Sequence, residues 1–297
     1  MKNQYVGDVG DFGKYSMLRS FSEAGIRIGV NWYLTEDDGS NDGKYISYLE
    51  DEKMRWRCPV VFDAMKGLAN KKNKSVVGVQ KSGILGDALF YAEMLNAEGT
   101  PAERESQRTK WFSDSMDALK AADLIFMDPD NGLMEKGDAT KLGAEKYIFP
   151  DEVEKYYNAG HNVVYYCHKG RRSIGDWQDY KSVMFNRIPT SKPAILTFHK
   201  GTQRSFIFVI HEKDFKEYRR IIDGFTDKWH RLFSEEYTNK GNAAGEAMGA
   251  AFTFTTSHGA NITIENRADG QLQIKNSRKP NLTVVMTPDM VYGLLGL

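Results

Sequence analysis

The alternation of apolar and polar positions divides the chain into short apolar runs separated by amphipathic segments. Residues 14–24 (KYSMLRSFSEA) put Met17, Leu18 and Phe21 on one side, the spacing of an amphipathic helix that Gly25 ends. Residues 26–34 (IRIGVNWYL) are apolar and β-rich and predict a buried strand. A polar, acidic stretch follows, and a short helix is expected from Tyr45 to Glu50. Residues 58–62 (CPVVF) read as a second strand, and residues 85–95 and 103–121 as helices. Residues 123–127 (DLIFM) form a short apolar strand that runs straight into DPDNGLMEKGD. A helix is expected over 145–157, with Pro150 opening a new helix at Asp151. Residues 162–167 predict a further strand. Residues 193–199 and 205–211, joined by the turn Lys200-Gly201-Thr202-Gln203-Arg204, predict an antiparallel hairpin. A helix from Lys213 to Ile222 closes this region.

Strands alternating with helices predict an α/β fold: a doubly wound, mainly parallel sheet of about seven strands with helices on both faces. Residues 1–233 are expected to form this domain, with Asp128 at the carboxyl end of a strand. Residues 234–250 are small, polar and Gly/Ala-rich and read as a linker. Residues 251–297 contain the alternating runs FTFTT, NITIE and LQIKN and a hairpin-type turn at Arg267-Ala268-Asp269-Gly270, a small β-rich extension.

Composition narrows the classes. The chain has 297 residues, 41% of them hydrophobic, enough for an ordinary buried core. Basic and acidic residues balance at 40 each, so a nucleic-acid partner would be held by local basic patches and not by bulk charge. The two cysteines, Cys58 and Cys167, have no metal-ligand spacing, which excludes a zinc ribbon and argues for a reducing cytoplasmic setting. The N-terminal stretch has no apolar signal-peptide core, and no run approaches the ~18 apolar residues of a membrane span, so no membrane partner is expected.

In open α/β sheets ligands bind in the loops that follow the strands. Three such loops carry polar residues: Glu36 to Gly43, Asp128 to Gly132, and His168 to Arg172. In FMDPDNG, Pro129 restricts Asp128 to extended geometry and so holds its carboxylate in place. Asp130 and Asn131 add a carboxylate and an amide. The group can accept hydrogen bonds from an amine or ligate Mg²⁺ through oxygen; D-P-D-N-G is also strong turn chemistry. The opening NQYVGDVGDFGKY has three glycines in seven residues, with Asp8, Asp11 and Lys14 among them, just before a helix. Its simpler reading is capping of that helix by Asp11. The runs Lys71-Lys72-Lys74, Arg104-Arg108-Lys110 and Arg219-Arg220 read first as solvated faces, although with Trp111, Trp177 and Trp229 they would suit a nucleic acid.

The opening G-D-V-x-D-x-x-K-Y, the strand leading into an acidic Gly-containing loop, and the later D-P-x-x motif together resemble the adenine-N6 methyltransferases that act on large-subunit ribosomal RNA. The three-Cys-motif partner proteins, and a bacterial family sharing NQYVGDVGDFGKY and DPDNGL, are similar in plan. The pair ending in SFIFVIH resembles the last hairpin of the methyltransferases, and the likeness spans residues 3 to about 230. The resemblance implies a Rossmann-like fold, S-adenosylmethionine as cofactor, and methyl transfer to a base amine. It implies that Asp8, Lys14, Asp37, Gly39, Asp42 and Gly43 serve the cofactor and that Asp128 accepts the target amine.

Two departures stand out: the cofactor loop is acidic from Glu36 to Asp42, and Asn131 replaces the aromatic that stacks on a flipped base. The acids open a second reading. Asp8, Asp11, Asp128 and Asp130 could bind Mg²⁺ for phosphodiester cleavage, with His168 as acid or base and Lys169 and Arg171 on phosphate. A third reading is a non-catalytic partner in a larger assembly.

Overall fold

The computed structural model describes residues 1–39, 43, 45–69, 74–96 and 98–236, together with the strands at 252–255, 261–266, 272–276 and 279–286. The chain divides into two units, Met1–Thr238 and Asn239–Leu297. In the first unit α1 (Val9–Glu23) precedes β1 (Ile28–Asn31). Then come α2 (Glu52–Arg55), α3 (Pro59–Ala69), α4 (Val76–Lys81) and β2 (Leu89–Tyr91). Next are α5 (Pro101–Leu119), β3 (Leu124–Met127), α6 (Pro150–Asn158) and β4 (Asn162–His168). The unit ends with α7 (Ile174–Arg187), β5 (Lys192–Phe198), β6 (Arg204–Ile210), α8 (Phe215–Lys228) and β7 (Phe233–Glu236).

These strands form a seven-stranded sheet in the order β2-β1-β3-β4-β6-β5-β7. Neighbours from β2 to β4 are parallel, with Met127 opposite both Asn31 and Tyr165. β6 enters antiparallel between β4 and β5, and β7 pairs antiparallel with β5. The sheet is mixed, parallel through its core and Rossmann-like, as the strand–helix alternation predicts. The hairpin expected from residues 193–211 is the β5–β6 pair.

Side chains alternate across the strands, so each face has its own core. Leu124 and Phe126 of β3 pack with Phe12, Phe62, Ile222 and Phe225 of α1, α3 and α8. Ile125 and Met127 face the opposite layer, with Phe112, Tyr156 and Tyr180 of α5, α6 and α7. β1 runs close to the end of α5 and the turn that follows it: a Cβ on Gly29 would lie 3.5 Å from the Leu119 Cβ and 2.8 Å from the Ala122 Cβ.

Two local expectations are overturned. Residues 58–62, expected as a strand, open α3: Pro59 takes the first helical position, where a missing N–H costs nothing, and Val61, Phe62, Met65 and Leu68 are buried at helical spacing. Residues 85–95, expected as a helix, contain β2, where parallel pairing of Leu89 with Gly29 outweighs local helix propensity. α7 lies where the apolar pattern predicts no element, although the Ser173 hydroxyl caps it by accepting the Asp176 N–H at 3.1 Å. β7 carries the first sheet into the range read as a linker.

The second unit is a four-stranded antiparallel sheet, β11-β10-β9-β8, built from β8 (Phe252–Thr255), β9 (Asn261–Asn266), β10 (Leu272–Asn276) and β11 (Lys279–Met286). The turn at 267–270 lies outside the described residues. No helix among the described residues is long and apolar enough to cross a membrane.

Candidate functional site

Because β1, β3 and β4 are parallel, their carboxyl ends share one edge of the sheet, and the reversed β6 begins at that same edge. The edge therefore carries Asp128 after β3, His168 at the end of β4 and Arg204 at the start of β6. The first turn of α1 completes the site. Asp8 is its N-cap, its carboxylate accepting the Gly10 N–H at 2.6 Å, and Asp11 accepts the Gly7 N–H at 3.2 Å. The cap expected at Asp11 is thus Asp8, and Asp11 is released to face Lys14.

Lys14 lies at the centre. Its ammonium sits 2.8 Å from Asp11 Oδ1 and 2.7 Å from Asp128 Oδ2, and all three residues are buried. Burial opposes the Lys14 charge, but Asp11 and Asp128 outweigh it and hold the ammonium well above the usual lysine range. Burial pushes the carboxyls of Asp128 and Asp11 up, and Lys14 opposes that rise. The ammonium also lies 4.8 Å from the centre of the Tyr15 ring.

The other acids have partners too. Asp8 Oδ1 accepts from Arg204 Nη2 at 2.9 Å. Asp130 Oδ1 pairs with the Met1 amino group at 2.7 Å, and Asp130 Oδ2 accepts from the Thr35 hydroxyl at 3.1 Å. The Met1 amino group also donates to the main-chain carbonyls of Tyr33 and Asp128, each at 3.0 Å.

A cleft of about 580 Å³ opens over these groups. Asp8, Asp11, Lys14, Gly43, Asp128, Asp130, Asn131 and His168 all line it, so eight residues singled out from separate parts of the sequence converge. Burial, with help from Arg172 and Arg204, lowers the pKa of His168, which favours the neutral imidazole at neutral pH. Asp37 and Gly39 do not line the cleft. They bind the N-terminal segment: the Gln4 N–H donates to Asp37 at 3.0 Å, and the Gly39 N–H donates to the Gln4 side chain at 3.2 Å. Gly43 does reach the cleft; at φ +74° it lies so close to Tyr5 that a Cβ would be 2.7 Å from the Tyr5 Cα. Asp42 lies outside the described residues.

Arg204 and Tyr166 also line the cleft, and sequence reasoning missed both. Arg204 stood in plain view as the last residue of a hairpin turn, but nothing local marks its pairing with Asp8, 196 positions away. Gly10 leaves room for it, since a Cβ there would lie 2.3 Å from the guanidinium carbon.

Among the described residues, no group of three His, Cys, Asp or Glu side chains is placed to hold a metal ion. Among those same residues, the cleft sets four carboxylates, Asp8, Asp11, Asp128 and Asp130, against three cations, Lys14, Arg204 and the Met1 ammonium. One negative charge is left in excess, and the wall is rich in acceptors that suit amines and other cationic groups. No family model matches the chain, and no curated protein matches it.

Proposed function

We propose that the cleft binds S-adenosylmethionine and that the protein transfers its methyl group to an amine held at Asp128. The observation that carries this reading is the acceptor-rich, electronegative cleft at the carboxyl edge of a Rossmann-like sheet, with Asp128 on its floor. Its volume of about 580 Å³ falls in the range of small-molecule sites. The donor set fits the cofactor: Asp8, whose contacts with Arg204 and Gly10 use Oδ1, offers Oδ2 to an α-ammonium, and the one negative charge in excess suits a sulfonium. When bound, the cofactor supplies an electrophilic methyl group. Asp128 accepts a hydrogen bond from the target amine and leaves the nitrogen lone pair free to attack. Lys14 favours the ionised form of Asp128 and fixes its orientation. Neutral His168 accepts the proton that the amine loses.

Phosphodiester cleavage by Mg²⁺ is the alternative, and it makes a different demand. Its carboxylates must converge on an ion, whereas here the Lys14 ammonium stands between Asp11 and Asp128 and Arg204 stands on Asp8.

Isothermal titration with S-adenosylmethionine, and separately with Mn²⁺, tests the proposal. Saturable cofactor binding is the expected result. S-adenosylhomocysteine, which lacks the sulfonium charge, should bind about five-fold more weakly, the equivalent of about 1 kcal/mol of charge attraction. No heat at millimolar S-adenosylmethionine would overturn the proposal, and tight Mn²⁺ binding in its place would favour the nuclease.

A further inference from the structure

A second concavity, of about 470 Å³, lies between the C-terminal half of α1 and α8. Its charge is opposite to that of the first cleft. Arg19, Arg57, Arg220 and Lys228 line it, and among the described residues Glu23 is the one carboxylate that does. Glu23 is already matched, 2.8 Å from Arg19. The Arg57 guanidinium donates to the Lys228 carbonyl, which ties α8 to the segment before α3. Arg220 and Lys228 are exposed, and neither side chain has an ion-pair partner among the described residues. In a chain of balanced charge, this groove concentrates cations without matching acids.

One further observation sets it apart from an ordinary solvated basic face. Trp56, next to Arg57 in sequence, is 80% exposed. Tryptophan is usually well buried, and a bare indole beside a cationic groove is the pairing of groups that holds single-stranded nucleic acids.

We infer that this groove binds the sugar-phosphate backbone of a single-stranded nucleic acid, with Arg57, Arg220 and Lys228 on phosphate and Trp56 stacked on a base. A single strand is favoured over a duplex because the indole needs the face of an unpaired base. The groove also shares a helix with the first cleft. Lys14 and Arg19 are five residues apart on α1, about 7.5 Å along its axis and about 140° around it, so groove and cleft open on different sides of that helix and a bound strand must pass around α1 to reach the proposed methyl-transfer site. The inference rests on the methyl-transfer reading only in making the bound strand a substrate; binding itself is measured without cofactor.

The test is fluorescence anisotropy of labelled 12-nucleotide oligo-dT and oligo-U, titrated with the full chain at 50 and 200 mM salt. Binding should weaken steeply with salt. The double variant R220E/K228E should bind at least ten-fold more weakly and flatten the log–log salt slope by about 1.4, roughly 0.7 for each phosphate no longer neutralised. W56A should weaken binding about five-fold or more with the slope unchanged. All three side chains are partly or fully exposed at helix surfaces, and circular dichroism of each variant verifies that it folds. Undetectable binding at 100 μM protein in 50 mM salt would overturn the inference. So would identical binding by wild type and both variants, or competition by poly-glutamate as effective as by oligonucleotide at equal charge. S-adenosylmethionine titration of R220E/K228E separates the two proposals, since cofactor binding there should match wild type whether or not the oligonucleotide binds.

Discussion

Replacing Lys14 by Met removes the one cation that Asp11 and Asp128 share and leaves two buried carboxylates with only the weaker pull of Arg204 on Asp11 and of the Met1 amino group on Asp128. Breaking a buried pair from one side typically costs about 3–5 kcal/mol. The pH dependence carries the sharper signature. Both carboxyls already sit above their ordinary 3.8 in the folded protein because of burial, and Lys14 is the main group holding them down. Without it their folded values rise further, while the unfolded values stay put. A carboxyl raised in the folded state binds protons more readily there, so its folded protein is favoured below the unfolded pKa. That advantage is lost as pH rises through the folded pKa. The cost of K14M should therefore be small near pH 4 and full by pH 7.5. Urea unfolding followed by tryptophan fluorescence reads this out, because all five tryptophans lie in the first unit. With a slope of about 2 kcal/mol per molar urea, the midpoint should fall by about 1.5–2.5 M at pH 7.5. The triple variant K14M/D11N/D128N should recover more than half of that stability, since it removes the uncompensated charges along with their partner. A cost under about 1 kcal/mol at pH 7.5, or an equal cost at both pH values, would refute the reasoning.

Three other outcomes follow from the same geometry. G10A brings a Cβ to 2.3 Å from the Arg204 guanidinium carbon, a flexible neighbour that can swing away, so thermal unfolding should change by less than about 1 kcal/mol while S-adenosylmethionine affinity falls at least ten-fold. R108M strips Glu152 of hydrogen bonds at 2.8 and 2.9 Å in a buried site remote from the cleft lining, and should cost about 3–5 kcal/mol in urea unfolding without altering affinity per folded molecule. In the native protein a thiol reagent should consume one equivalent, at half-buried Cys58, because burial holds the Cys167 thiol well above its usual range; the second should react only on unfolding.

What the sequence determined by itself is the part set by local physics. The apolar run DLIFM can only bury both faces as a central strand, and Pro129 fixes where Asp128 leaves it. The strand–helix alternation yields the parallel core, and the loops after β3 and β4 fall where ligands bind in such sheets. Tertiary structure decided wherever a short segment was locally ambiguous. CPVVF is β-like in composition but continues into a helix because its buried residues recur every three to four positions as far as Leu68. Residues 89–91 become a strand only because β1 offers an edge. The identity of the site belongs to the tertiary structure as well. Which of many aspartates meet, and that Lys14 and Arg204 neutralise them, depends on α1 crossing the strand ends and on β6 running backwards into the sheet. Asp8 and Arg204 lie almost 200 residues apart, and no periodicity or motif encodes a pairing that only the closure of the whole sheet brings within 2.9 Å.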